Sequence, residues 1–407
     1  MTTPRAQKIL QRLDLLAELS DRQDCLCREF GTLASAQGRD LVRQWMKEAK
    51  LKVSVDNMLN IRGVLDLGKP KTFLMGSHLD TVLNAGKFDG TLGVLLAVDQ
   101  AERLEKQDLM LPYNLEVVGF SEEEGVRFMK PYLGSMTLAG TFRPEYLQLR
   151  DKEGITLEQV VKENGQTPQA VMQDGFSRAQ LAGYLEVHIE QGPVLDQLQL
   201  PVGLVTDIVG QQRHQISFVG LAGHAGTVPI KQRKDALLGA AELVTYVEKL
   251  ALEYRDMVAT VGTLEVLPGR INVIPERVNM SLDIRHAHKD EMQQAVNKLR
   301  EKTSSIAKKR QLLSYWEALS EVDSVQCNTQ LNAVLRESIM ESGYPVKHLV
   351  SGAGHDAVVL SGITPVCMLF VRCKEGISHH PLEQASLEDI ESAIKVCDNF
   401  FDKLAAI

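Results

Sequence analysis

Cysteine is scarce in this 407-residue chain, with six residues at irregular spacing: Cys25, Cys27, Cys327, Cys367, Cys373 and Cys397. That excludes a disulfide framework and reads as buried or incidental thiols in a reducing compartment. No Cys-x-x-Cys pair is present to suggest a structural zinc unit. Long apolar runs are missing too: the longest, 92–98 and 365–371, fall well short of the roughly 18–20 residues a membrane span needs. Residues 1–15 are polar and of mixed charge, without an apolar stretch followed by small residues, so no secretory leader is expected and the expected location is cytoplasmic. Positive charge is not in excess, because 45 Lys plus Arg stand against 53 Asp plus Glu for a formal charge of −8. Neither nucleic acid nor an anionic membrane is therefore an expected partner. There is no internal repeat and no low-complexity tract.

What is present is an ordinary globular composition, 44% hydrophobic and 24% charged, in a chain long enough for two or three domains. Helical spacing marks parts of 7–50, and strand-like segments follow at 51–55, 60–65, 72–77 and 114–120, with a helix-like stretch around 92–104. Strands alternating with helices predict an α/β fold with a mixed, largely parallel sheet and helices on both faces. From about 207 the pattern changes: strands at 215–219, 258–266 and 277–285 with helices at 235–254 and 289–308 suggest a separate α+β sandwich. Alternation resumes after 324 and closes with a helix at 387–404. The reading is one catalytic domain, 1–208 and 325–407, interrupted by an inserted domain at 209–324.

Of the ten histidines, six sit in Gly-flanked or acidic contexts. His78 follows a strand in Gly76-Ser77-His78-Leu79-Asp80, with Asp80 placed to orient its second ring nitrogen, as metal-ligating histidines usually require. The same segment also reads as a loop held by structural hydrogen bonds. Asp89, between Phe88 and Gly90, is a turn residue or a carboxylate offered to a cleft. Glu122, Glu123 and Glu124 directly follow an apolar strand, where adjacent acids repel unless a cation compensates them; a solvated acidic face is the alternative. Strand alternation puts Glu186, His188 and Glu190 on one face, which suits a cleft wall or an exposed edge strand. His355 follows Gly352-Ala353-Gly354, and His379-His380-Pro381 follows the strand 365–370. Together these residues form an N/O donor set suited to zinc or manganese. In the inserted region, His224 in a Gly-Ala-Gly loop could meet a developing oxyanion and Arg285 could clamp a carboxylate, or both could be plain turn and surface residues.

Nine motifs in order, from Gly76-Ser77-His78-Leu79-Asp80-Thr81-Val82 to Ile377-Ser378-His379-His380-Pro381, resemble the M20 metallopeptidase superfamily. The branch indicated is that of allantoate amidohydrolases, N-carbamoyl-L-amino acid hydrolases and β-ureidopropionases. The resemblance implies two divalent metal ions per subunit, zinc first with manganese or cobalt as alternatives. It implies His78, Asp89 and His188 on one ion and Asp89, Glu124 and His379 on the other. Glu123 would be the general base and Asp80 its supporting partner. Gln191, His224, Asn272, Arg285 and the loop of Gly354 and His355 would bind a small ureido carboxylate. The inserted domain would act as lid and homodimer surface. His188 separates this branch from the aminopeptidases and N-acyl amino acid deacylases, which resemble a pattern with a carboxylate at that step; a dimeric binding scaffold without catalysis is the remaining alternative. The chain departs from the branch at His380, where Asn is common, and at Val228 and Ile230, where Thr and Met are frequent.

Overall fold

The computed structural model describes residues 3–406. Met1, Thr2 and Ile407, at the ends of the expected catalytic segments, lie outside the described residues. The chain divides into two compact units, one made of Met1–Thr206 with Cys327–Ile407 and the other of Asp207–Gln326.

The first unit is built on a sheet that runs Lys52–Val55, Ile61–Leu65, Asn114–Phe120, Thr72–His78, Leu181–Ile189, Val366–Val371 and Val202–Ile208, with His348–Ser351 also on the last strand. The four central strands, Asn114–Phe120 to Val366–Val371, are mutually parallel, and the strands flanking them pair antiparallel. Parallel strands covered on both faces are apolar almost throughout, as in Val366–Val371, where every residue is buried. Leu185, Val187 and Ile189 face a core filled by the helices Pro4–Ala17, Thr91–Lys106, Thr329–Glu341 and Leu387–Ala405. The last helix starts on a capping box between Ser386 and Asp389 and stacks Phe400 and Phe401 against Phe73. On the other face Glu186 and His188 meet the short helix Asp356–Leu360 and its loop, and the Tyr184 hydroxyl donates to the Gly76 carbonyl.

Two packing contacts are close enough to need glycine. A Cβ on Gly93 would lie 2.1 Å from the carbonyl oxygen of Val187, and one on Gly76 would lie 1.9 Å from that of Val118. The helix therefore rests directly on the strand that carries His188.

The segment expected to be either a cleft wall or an edge strand is central in the sheet. It ends at Ile189, so Glu190 does not share the strand's polar face; its carboxylate accepts the N–H groups of Val194 and Leu195 instead.

The second unit has its own five-stranded antiparallel sheet and two helices, Ala236–Ala251 and Lys289–Arg310, around a separate apolar core. The strand expected at 258–266 is broken into Val258–Thr260 and Leu264–Leu267. Both pair with Arg277–His286, and the N–H of Thr263 in the gap bonds to the Ser281 hydroxyl. Strands Val202–Ile208 and Leu313–Val322 were not marked by the pattern. No helix among the described residues is long and apolar enough to cross a membrane.

Candidate metal centre

The carboxyl ends of the four parallel strands lie side by side, the position where open α/β sheets bind ligands. Thr72–His78 ends on His78, and Asn114–Phe120 runs into Glu122–Glu124. Leu181–Ile189 carries His188 one residue from its end, and the loop after Val366–Val371 carries His379. Asp89 sits in the turn before the helix Thr91–Lys106. Gly90 follows it at φ +63°, and a Cβ there would lie 2.5 Å from the His78 ring, so this turn closes only on glycine.

These side chains converge. Asp89 Oδ1 is 3.0 Å from His188 Nε2 and 3.6 Å from His78 Nε2, while Asp89 Oδ2 is 3.1 Å from His379 Nε2. Glu124 Oε1 is 3.4 Å from His379 Nε2, and Glu123 Oε2 is 4.0 Å from His78 Nε2. Three groupings place their donor atoms close enough for one ion: His78, Asp89 and His188; His78, Glu123 and Glu124; Asp89, Glu124 and His379.

Hydrogen bonding decides what those atoms can accept. His78 Nδ1 is 3.0 Å from the carbonyl oxygen of Asp80, and His188 Nδ1 is 2.9 Å from that of Ile189. A carbonyl only accepts, so each Nδ1 carries a proton, and in its neutral form each ring turns the lone pair of Nε2 towards Asp89. Asp89 Oδ1 is buried and has no hydrogen-bond partner. Lone pairs of two imidazoles and one carboxylate oxygen thus meet in a buried pocket, an arrangement that a divalent cation satisfies.

The same acids favour positive charge in the pocket, on a bound cation or on the imidazoles themselves. Burial opposes a charge on His78, yet Glu123, Asp89 and Asp80 outweigh it and hold the imidazole well above its usual range. Burial, then the neighbouring acids, push Glu123 up, and Glu124 rises to about 7. The pocket holds more buried negative charge than its own side chains neutralise.

Asp80 works differently from the expectation. Its carbonyl, not its carboxylate, orients His78. The carboxylate accepts the backbone N–H groups of Glu123 and Glu124 through separate oxygens, each at 3.1 Å, so it fixes the acidic loop. Glu122 turns away and accepts the N–H groups of Arg127 and Phe128.

The expected substrate contacts fall into both units. Gln191 Nε2 donates to Asp89 Oδ2 at 3.0 Å and lies 3.4 Å from His379 Nε2, inside the cluster. His355 is buried; its Nε2 meets the Ser351 hydroxyl at 2.8 Å and its ring packs edge-on against His188. It backs a candidate ligand rather than facing an open pocket. Gly354 leaves room for Tyr132, whose hydroxyl would lie 2.0 Å from a Cβ there. In the second unit, His224 and Asn272 are exposed neighbours: His224 pairs with Val273 in a two-residue ladder, and Ala225 N–H bonds to the Asn272 carbonyl. Arg285 lays its guanidinium on both oxygens of Asp283, at 2.9 and 3.2 Å, so it is neither free nor a plain surface cation.

Sequence reasoning passed over several residues that shape this site. Asn60, fully buried, accepts the Ser121 N–H and donates to the Gly134 carbonyl, pinning the start of the acidic loop. Glu186, which strand alternation does place on the face of His188, accepts the Ser77 hydroxyl and the Ala357 N–H behind it. Ser378 and Glu383 flank His379, and neither carries a periodic signal in the sequence.

Fold and site together define a hydrolase-type α/β scaffold with a His, Asp and Glu centre at its strand ends. Residues 74–403 match Peptidase family M20/M25/M40. The chain is 37% identical over 388 residues to the N-carbamoyl-L-amino acid amidohydrolase of Geobacillus stearothermophilus, covering 95% of both chains. It is 37% identical over 415 residues to an allantoate deiminase of Arabidopsis thaliana, covering 94% of this chain and 79% of that one. A solved amidase of the hydantoinase/carbamoylase family from Burkholderia multivorans has a TM-score of 0.91 and 33% identity, over 99% of this chain and 98% of the other. The chain belongs to peptidase family M20/M25/M40.

Proposed function

We propose that this protein is a metal-dependent amidohydrolase that cleaves a linear C–N bond of an N-carbamoyl carboxylate such as allantoate or an N-carbamoyl-L-amino acid, releasing ammonia and carbon dioxide. The observation that carries the reading is the convergence of two imidazole lone pairs on the orphaned Asp89 Oδ1 in a chain so similar to two ureido hydrolases. His78, Asp89 and His188 would hold one divalent ion, and Asp89, Glu124 and His379 a second, with zinc the first candidate and manganese or cobalt admitted by the same donors. Such ions supply Lewis acidity for the carbamoyl carbonyl and for water.

The remaining work falls to side chains. Glu123 takes a proton from the attacking water as oxygen bonds to the carbamoyl carbon, then delivers it to the departing nitrogen as the C–N bond breaks. The resulting carbamic acid decomposes to carbon dioxide and amine. Asp80 holds the Glu123 and Glu124 amides so that the base keeps its aim. Gln191, His224, Asn272 and Arg285 are the proposed substrate contacts, with Arg285 matching a carboxylate bidentately as it already does with Asp283. His355 positions His188, and Gly354 admits Tyr132. The inserted unit is the proposed homodimer surface, supported by exposed Leu313, Tyr315 and Leu319 on one strand. A cytoplasmic setting is supported by the six free cysteines.

Ammonia release from allantoate, ureidoglycolate, an N-carbamoyl-α-amino acid and N-carbamoyl-β-alanine, each with zinc, manganese, cobalt or chelator, tests this directly. Metal-dependent release from at least one is expected. Turnover of dipeptides or N-acyl amino acids with none of these four would replace the reading by a peptidase or deacylase. Glu123→Gln should keep its metal and lose about 10²–10⁴-fold in kcat; near-normal turnover would remove Glu123 as the base.

A further inference from the structure

Glu383 has no part in that reaction, yet its side chain is fully engaged at the edge of the centre. It is 5% exposed. Its Oε1 accepts the backbone N–H of Phe88 at 2.8 Å and of Asp89 at 3.0 Å, and its Oε2 accepts the Ser378 hydroxyl at 3.0 Å. The Ser378 oxygen also lies 3.2 Å from Asp89 Oδ2, and the next residue is His379. Glu383 is itself held, because its N–H bonds to the His380 carbonyl at 3.0 Å. The loop before Asp89 is shaped to receive it: a Cβ on Gly86 would fall 2.3 Å from the Glu383 carboxylate. One carboxylate therefore ties together two loops that lie 294 residues apart in sequence.

We propose that Glu383 is a positioning residue that fixes Asp89 relative to His379 and so sets the affinity of the ion these two would share with Glu124. The inference rests on the ligand assignment made above. Its physical basis is that two amide donors on one anionic oxygen make charge-assisted bonds, so the Asp89 backbone is fixed through its own N–H and that of Phe88. Ser378 passes the same constraint to the residue before His379. Removing the carboxylate leaves two buried N–H groups unpaired and releases the two loops from each other. Outer partners of this kind typically govern metal affinity about 10–100-fold.

The test compares Glu383→Ala, Glu383→Gln and Ser378→Ala with wild type, using Asp89→Ala and His379→Ala as references. Zinc content is measured against a graded zinc buffer, and the visible absorption of the cobalt-loaded protein reports ligand geometry. Glu383→Ala should weaken one bound ion by about 10–100-fold, alter the cobalt spectrum and lower kcat more than it raises KM. Glu383→Gln should recover most of the affinity, because its amide oxygen can accept the same two N–H groups and its amide nitrogen can meet Ser378. Ser378→Ala should fall between them. Wild-type zinc affinity and cobalt spectrum in a folded Glu383→Ala protein overturn the proposal, as does equal loss in Glu383→Ala and Glu383→Gln. If Asp89→Ala and His379→Ala bind zinc as wild type does, the ligand assignment fails and this inference falls with it. Loss in those two references with none in the Glu383 variants condemns the Glu383 role alone.

Discussion

At the scale of single residues, small differences of geometry reassign roles. His380 is where the sequence departs from the pattern it resembles, which makes it an expected specificity position. In the structure its Nδ1 accepts the N–H of Leu382 at 3.1 Å, closing the turn that an Asn side chain closes through its own oxygen. His380→Asn should therefore leave the ratio of kcat/KM between allantoate and an N-carbamoyl amino acid unchanged; an altered ratio would restore His380 to the pocket. Asp80 carries the opposite lesson. Both its oxygens are engaged by the amides of Glu123 and Glu124, so Asp80→Asn turns an amide N–H₂ towards a backbone donor. Zinc content should hold while kcat drops by about 10–100-fold, the usual consequence of losing an outer-sphere partner. Metal loss equal to the activity loss would mean that Asp80 serves the ligands rather than the base.

Elements add constraints that no residue carries alone. The helix Thr91–Lys106 lies on the strand Leu181–Ile189 with Gly93 against the Val187 carbonyl, one residue before His188. Gly93→Ala must push them apart, at a destabilisation of about 1–3 kcal/mol, and thermal unfolding of the metal-free protein should register it. In the inserted unit, the strands Gly210–Val219 and Leu313–Val322 bury His214 beside Trp316. Burial, with Arg300 nearby, pushes His214 down to about 4 from the ordinary 6.5. Between these values the unfolded chain holds more protons than the folded one. The stabilisation is thus present above pH 6.5 and is lost as the pH falls through 4. Replacing His214 by Phe, a ring that takes no proton, should flatten the decline of the urea midpoint of this unit over that window; an unchanged slope would refute it.

For the whole molecule, two separate cores predict two partly independent stabilities. The core of the first unit gathers residues from both of its chain segments, and the second unit has its own. Metal bound to the folded state alone stabilises by mass action, by about 4 kcal/mol at a thousandfold excess over Kd. Chelation should lower the calorimetric transition of the first unit and leave that of the inserted unit in place, and zinc should restore it. A shift of both transitions together would show that the site draws on both units.

Much of the fold was legible because its signals are local. Alternation in residues such as Tyr184 to Ile189 and turn glycines such as Gly90 fix strand positions and ends within a few residues, and strand ends are where His78, Glu123 and His188 fall. The residue types of the site were legible for the same reason, although their grouping into two ligand sets came from the resemblance to a family and not from spacing. Tertiary structure alone decided which atoms meet. Sheet order brings the loop of Asp89 against that of His379, nearly three hundred residues away, and this juxtaposition gives Glu383 its role, turns Asp80 towards amides and buries His355 behind His188. Periodicity is set by each residue's neighbours in the chain, whereas a hydrogen-bond partner is set by neighbours in space. For this protein the sequence determined the chemistry on offer, and the packing of the parallel strands decided how it is arranged.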